Sequence, residues 1–417
     1  MTEAVTPRLN LLASPAGRRV LFALLYLSEG APIGFVWWAL PALLRGRGIE
    51  LDAITTLTTI ATLPWILKFL LAPVIDATLH RGVSVKRWIL VCQVAMSLAL
   101  LPLLAIDWSA QFTLVIAIVG VHAIFAAVQD VGIDTLAIHS VPRDELGRIN
   151  GWMQAGMLGG RASVAAGSTL IAASFGDPRL AVAFLAALIA MPAFVLAFAV
   201  SEPKSSEPPV RPRAVIKAIT TRTAVAGLAV ALFVGAGFEF FGVSAGPRLL
   251  DLGNSESFVA MFFGFFAPVG LAAGALIGGT LTDRIGPVRG TALGLAVLSL
   301  ILIVIALDDL APRREEAPHA WFVGAYFAIG ALTACSYALF MTLSRGEFAA
   351  TRFSFFMAMT NACEAWSGFV GGVFASGGYG STLMALTAAS GIALLPLALL
   401  WWNGIDRSFD EQERTPA

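Results

Sequence analysis

Polar breaks divide this 417-residue chain into twelve apolar stretches, each close to the length needed to cross a bilayer. A hydrocarbon core of about 30 Å is spanned by roughly 20 apolar residues in a helix. The stretches run over 18–44, 52–75, 88–106, 111–139, 148–175, 179–201, 221–250, 255–281, 288–307, 319–344, 350–376 and 380–403. They predict an all-α membrane protein of twelve transmembrane helices. Spans 111–139 and 221–250 exceed the requirement and predict tilt or a break. Composition agrees: 13% of residues are charged, against about 25% in a soluble domain. The net charge is zero, and no basic stripe points to nucleic acid. The apolar run from Val20 is longer than the 7–15 residues of a cleavable signal core, so it predicts a first helix that stays. Cys92, Cys335 and Cys363 lie in apolar runs without a CxxC spacing and predict packed side chains, not a disulfide or zinc site.

The chain falls into halves. The Pro-rich, mixed-charge stretch from Ser201 to Lys217 separates six spans from six, and such a segment is extended and semi-rigid. The expected domains are a six-helix bundle over 1–201, a linker over 202–220, a second six-helix bundle over 221–403 and a tail over 404–417. With the N-terminus placed in the cytoplasm, 19 of the 27 basic residues fall in inside segments and 6 in outside loops. Lys68 and Arg161 are left within spans. The bias follows the positive-inside rule and predicts both termini in the cytoplasm. The halves also repeat. Glu29 and Glu239, Asp76 and Asp283, and Arg161 and Glu364 occupy matching positions about 205 residues apart, the pattern of a duplicated six-helix unit.

Ionisable residues sit where hydrocarbon would penalise them. Glu29, His122, Asp130, Asp134, Arg161, Glu239 and Glu364 interrupt apolar runs. Such groups cost at least ~2.5–3.5 kcal/mol in lipid, so they face a protein interior or a watery cavity and mark a pathway. Asp130 and Asp134 share a helix face at i and i+4, and His122 lies two turns away. Lys68 reaches the depth of Asp130 and predicts an ion pair, open between a structural lock and a working proton or gating site. Glu29, Arg161 and Glu364 fall near mid-depth, where they suit proton uptake or an anionic solute group. Spans 3, 6, 9 and 12 carry no charge in their cores. Trp37 and Trp38 in span 1 are open between packing and solute contact. Trp88, Trp108, Trp321, Trp401 and Trp402 sit at span ends and predict interface anchors. The pairs Gly156/Gly160, Gly274/Gly278 and Gly368/Gly372 have the spacing of close helix packing. Gly242-Val243-Ser244-Ala245-Gly246 matches G-x-S-x-G, but a nucleophile elbow needs a strand before it.

The loop after span 8 reads Gly278-Gly279-Thr280-Leu281-Thr282-Asp283-Arg284-Ile285-Gly286-Pro287-Val288-Arg289. It resembles the G-x-L-x-D-R-x-G-x-R signature of the major facilitator superfamily. The resemblance implies two six-helix bundles, cavity-lining spans 1, 4, 7 and 10, and a gating latch of Asp283 with Arg284 and Arg289. The first-half counterpart keeps Asp76 without the glycine or the adjacent arginine. A narrower resemblance covers the first third. Leu63-Pro64-Trp65-Ile66-Leu67-Lys68-Phe69-Leu70-Leu71-Ala72-Pro73-Val74-Ile75-Asp76, Gln129-Asp130-Val131-Gly132-Ile133-Asp134 and Ser28-Glu29-Gly30-Ala31-Pro32 are similar to runs of AmpG-like permeases. That family's members, as the resemblance implies, import muropeptides, acetyl-CoA or siderophores.

The sequence therefore predicts a secondary transporter of the inner membrane, not an enzyme. It would move a medium-sized amphiphilic solute, a siderophore or muropeptide, probed by Glu29, Trp37, Trp38, His122, Asp130, Asp134, Arg161, Glu239 and Glu364. Lys68, Asp76, Asp283, Arg284 and Arg289 would pair and gate. Protons are the expected coupling ion, membrane lipid the expected surroundings, a monomer the expected state, and no cofactor is expected. The alternative is a non-transporting intramembrane enzyme or receptor.

Overall fold

The computed structural model describes residues 10–177, 179–202, 212–310, 319–374 and 378–406. Among them all regular structure is helical. Twelve long helices follow in order: Pro15–Arg45 (α1), Leu51–Ile66 joined to Lys68–His80 (α2), Val85–Leu104 (α3), Phe112–Ser140 (α4), Leu146–Phe175 (α5), Arg179–Ala199 (α6), Arg222–Asp251 (α7), Phe262–Ile285 (α8), Pro287–Leu310 (α9), His319–Ser344 (α10), Ala349–Phe374 (α11) and Tyr379–Trp402 (α12). Nine are long and apolar enough to cross a membrane, and α2, bent by 41° at Leu67, makes a tenth. The remaining two, α5 and α11, have 30 and 26 residues. At 1.5 Å per residue both reach across, but they carry the polar side chains that depress their hydropathy, Arg161 and Glu364 among them. They occupy equivalent places in the two halves.

Several helices are interrupted where the sequence supplies a reason. Glycine opens a π-helical turn at Gly34–Ala39 in α1, and a second runs over Phe262–Phe266 at the start of α8. Such widened turns concentrate at functional sites. α7 breaks at Val234 and Gly235, as its excess length predicts. α4 is equally long and runs unbroken from Phe112 to Ser140. In the expected linker, residues 203–211 lie outside the described residues and Pro212–Ile219 is helical.

The chain divides into two units, Met1–Val141 with Gly156–Val210 and Pro142–Ala155 with Arg211–Ala417. Each has the same neighbour scheme. In the first, α3 packs on α4 and α6, α1 on α6, and α2 on α4. In the second, α9 packs on α10 and α12, α7 on α12, and α8 on α10. The α1–α5 seam is made by glycines: a Cβ at Gly30 would stand 2.0 Å from the Met157 carbonyl oxygen, and one at Gly156 2.1 Å from that of Ala23. In the second unit Gly274 and Gly278 bring α8 onto α10. The expectation for Gly368 and Gly372 is corrected. Nothing lies within 4 Å of a Cβ built at either, so they line an open face of α11.

A repeated cap ties each unit together. The Glu202 carboxylate accepts from Val85 N at 3.1 Å and Lys86 N at 2.7 Å. Asp406 accepts from Val288 N at 3.0 Å and Arg289 N at 3.1 Å. In both units an acid just after the sixth helix satisfies the orphan N–H groups that open the third. The two caps are 204 residues apart, close to the offsets read in the sequence.

Candidate functional site

In the first unit, buried polar groups gather from five helices. The Lys68 ammonium of α2 donates to Asp130 of α4 at 2.6 Å, with side chains 10% and 5% exposed. One turn on, Asp134 accepts from the Tyr26 hydroxyl of α1 at 2.5 Å. Glu29, 7% exposed, lies in the electrostatic field of Asp130, Asp134, Lys68 and Arg161. Ser28, next to it, accepts from Gln93 Nε2 of α3 at 3.0 Å and from Gln129 Nε2 of α4 at 3.1 Å. Three carboxyl groups thus face two cations in a packed apolar interior, where uncompensated charge is costly.

The sequence identifies Glu29, Lys68, Asp130, Asp134 and Arg161 as candidates, and the structure brings all five into one cluster. Tyr26 and Gln93 are not among the sequence candidates, and Ser28 and Gln129 enter the sequence analysis only inside quoted motifs, without a role. Neutral polar residues do not stand out in a hydropathy pattern, although Gln93 in the middle of an otherwise apolar span was a signal. His122 is fully buried and its Nδ1 meets the Met96 carbonyl oxygen, a backbone atom, at 3.0 Å. Trp37 meets Trp65 edge-to-face with centroids 5.6 Å apart. Trp38 is 49% exposed; both belong to the π-helical turn of α1. The anchor expected at Trp108 is corrected: it is 3% exposed, donates to Leu103 O at 2.9 Å and lies under the Arg47 guanidinium.

In the second unit, Glu239 of α7 and Glu364 of α11 lie within each other's field. Glu239 lines a cavity of about 100 Å³ with Phe238, Thr333, Ser336, Tyr337 and Thr360. Glu364 is exposed, as are Ala365 and Gly372. An exposed carboxylate within a spanning helix requires water beside it. Ser244 donates to Phe240 O of its own helix at 2.6 Å, so no strand–turn–helix presents it.

The expected latch of Asp283 with Arg284 and Arg289 is also corrected. Asp283, its side chain 3% exposed, accepts from Gly147 N at 2.7 Å and Arg148 N at 2.9 Å, with Arg148 Nε at 3.6 Å. It caps α5, whose opening turns belong to the second unit. Arg289 instead faces Asp406, Nε to oxygen 4.0 Å, and Arg284 is exposed. The reason is physical: bare N–H groups at a helix start attract a carboxylate. Asp76 is 1% exposed. A further pair, Arg248 with Asp309, joins the ends of α7 and α9.

Twelve helices in two repeated bundles, with ionisable groups inside the spans, define a multi-pass secondary transporter. The chain belongs to the major facilitator superfamily, whose sequence profile matches residues 22–307. It is 21% identical over 358 residues to a Rickettsia conorii protein described as a candidate transporter, AmpG 4, covering 82% of this chain and 86% of that one. Its fold is similar to that of the Escherichia coli fucose:proton symporter FucP, with a TM-score of 0.71 at 14% identity, covering 92% of this chain and 98% of that one. It is also similar to a bacterial homologue of the iron transporter ferroportin, with a TM-score of 0.67 at 15% identity and the same coverage.

Proposed function

We propose that this protein is a proton-coupled importer of a medium-sized amphiphilic solute, a siderophore or muropeptide-like molecule, working by alternating access in the inner membrane with both termini cytoplasmic. The observation that carries the coupling is the charge balance of the first unit. Glu29, Asp130 and Asp134 stand against Lys68 and Arg161, so one proton taken up by a carboxylate neutralises the set. A solute that brings or displaces charge then changes whether that proton is held. Arg161 keeps its charge and suits an anionic group. The aromatic turn at Trp37 and Trp38, in the same unit, suits the rest of an amphiphilic solute. Asp283 at the start of α5 is the gating element, since breaking a carboxylate cap is a discrete two-state event. The similarity to AmpG-type proteins supports the solute class, and FucP, a fucose:proton symporter, supports the coupling by analogy of fold.

Purified protein in liposomes, given ferric siderophores or muropeptides and a pH step, tests this. Uptake stimulated by an acidic exterior is expected. Glu29→Gln, Asp130→Asn and Glu364→Gln are each expected to lose that stimulation. Identical pH dependence in all three variants and the parent would rule the coupling out.

A further inference from the structure

We propose that Glu239 binds a proton in the cavity beside the break of α7, and that Glu364 passes it in from water. The site deepens the proton-coupled reading and rests on it for what the proton drives. α7 breaks at Val234 and Gly235, and Glu239 lies in the first turn of the segment that resumes, Ala236–Asp251. The break is fastened from two sides. Leu232 O, in the last turn before it, accepts from Trp366 Nε1 of α11 at 2.9 Å. Gly237 N, in the first turn after it, donates to Ser390 Oγ of α12 at 2.8 Å. A continuous helix would pair both backbone groups within itself. The bend is therefore built in, and a charge that comes and goes at Glu239 acts where α7 bends.

The cavity, about 100 Å³, is lined by Glu239 from α7, by Thr333, Ser336 and Tyr337 from α10, and by Thr360 and Cys363 from α11. Among the described residues the Glu239 carboxyl group has no hydrogen bond or ion pair. No lysine, arginine or histidine among them lines the cavity. Arg248, two and a half turns along α7, is paired with Asp309. The hydroxyls can give a hydrogen bond but carry no charge. The charge that acts on Glu239 is another acid, Glu364. The helix start supplies roughly half a positive charge, against a full negative one on Glu364. In the first unit Lys68 and Arg161 act on the acids; here no base does. A carboxylate held from water without a counter-charge is costly, and a proton relieves it. The way in is short. Thr360, which lines the cavity, and Glu364 are i and i+4 on one face of α11, and Glu364 is exposed. A proton from water meets Glu364 first and then Glu239, across a cavity with room for water.

The test is an infrared pH titration of the full chain in liposomes, reading the C=O stretch of protonated carboxyl groups, which a carboxylate lacks. Glu239→Gln, whose amide has the shape of the protonated acid, is expected to lose one such band at neutral pH. Sodium chloride and choline chloride are expected to give the same spectrum. Glu364→Gln, at an exposed position, is expected to keep the band and to lose it at a more acidic pH than the parent, because the like charge is gone. It serves as the measure if Glu239→Gln does not fold. A spectrum unchanged by Glu239→Gln, or a band whose titration ignores Glu364→Gln, would overturn the site. So would loss of a carboxylate band in its place with a sodium-dependent spectrum, which would put a metal cation there. Uptake of ferric siderophores or muropeptides separates the two readings. Parent uptake driven by a pH step, with a spectrum that Glu239→Gln leaves unchanged, removes this site and leaves proton coupling. A band lost in Glu239→Gln, with parent uptake indifferent to pH, leaves the site and removes proton coupling.

Discussion

Lys68→Met is expected to lower the stability of the protein by about 3–5 kcal/mol, because it strands a buried carboxylate. An exposed ion pair is worth about 0–1 kcal/mol, so the size of the loss decides where the pair lives. Lys68 and Asp130 are 10% and 5% exposed at the side chain and 2.6 Å apart. Removing the ammonium leaves Asp130, Asp134 and Glu29 with Arg161 as the remaining cation among the charges that act on Glu29. Adding Asp130→Asn should restore most of the loss, since neither partner then carries a charge. The check is a double-mutant cycle on unfolding midpoints in detergent. A loss under about 1 kcal/mol, or one that the second substitution does not reduce, would mean the pair is solvated or its charges are balanced elsewhere.

Gly274→Ala is expected to be the most damaging single methyl in the second unit. The added carbon would stand 1.8 Å from the Phe327 carbonyl oxygen, 2.7 Å from its carbon and 3.1 Å from Ala331 N. Those are backbone atoms, so α8 and α10 would have to separate. Overpacking of this kind costs about 1–3 kcal/mol, and the seam is long enough that the upper figure applies. Gly368→Ala is the control, with nothing within 4 Å. There the added methyl meets no atom, and reduced backbone freedom should make the change neutral or stabilising by up to about 1 kcal/mol. Opposite signs for two glycine-to-alanine changes, read as unfolding midpoints, check the packing directly.

The helices were legible because hydropathy has one period and one length in a bilayer. Even α5 and α11 could be read, since their polar residues interrupt apolar runs without shortening them. The Lys68–Asp130 pair was legible from depth alone. What the sequence concealed were partners that are not charged side chains. Asp283 holds the N–H groups of Gly147 and Arg148, and a motif rich in arginine suggests side-chain pairing instead. Glu202 and Asp406 cap helices from segments that read as linker and tail. Gln93, and the role of Gln129 within its motif, are hidden because an amide carries no charge to mark it in an apolar span. Gly368 and Gly372 share the spacing of Gly274 and Gly278, yet spacing does not say which face a neighbour occupies.

Charged side chains within the spans face the protein interior or water, not lipid. Thiol accessibility along α11 tests it most directly. Glu364 and Phe369 are both exposed, Phe369 by 73%, and five residues place them well apart around the helix. The native Cys92, Cys335 and Cys363 are buried and give little background. In membranes treated from both faces with a membrane-impermeant thiol reagent, Glu364→Cys is expected to react and Phe369→Cys to stay unmodified. An inert cysteine at 364 beside a reactive one at 369, or two inert ones, would contradict the account.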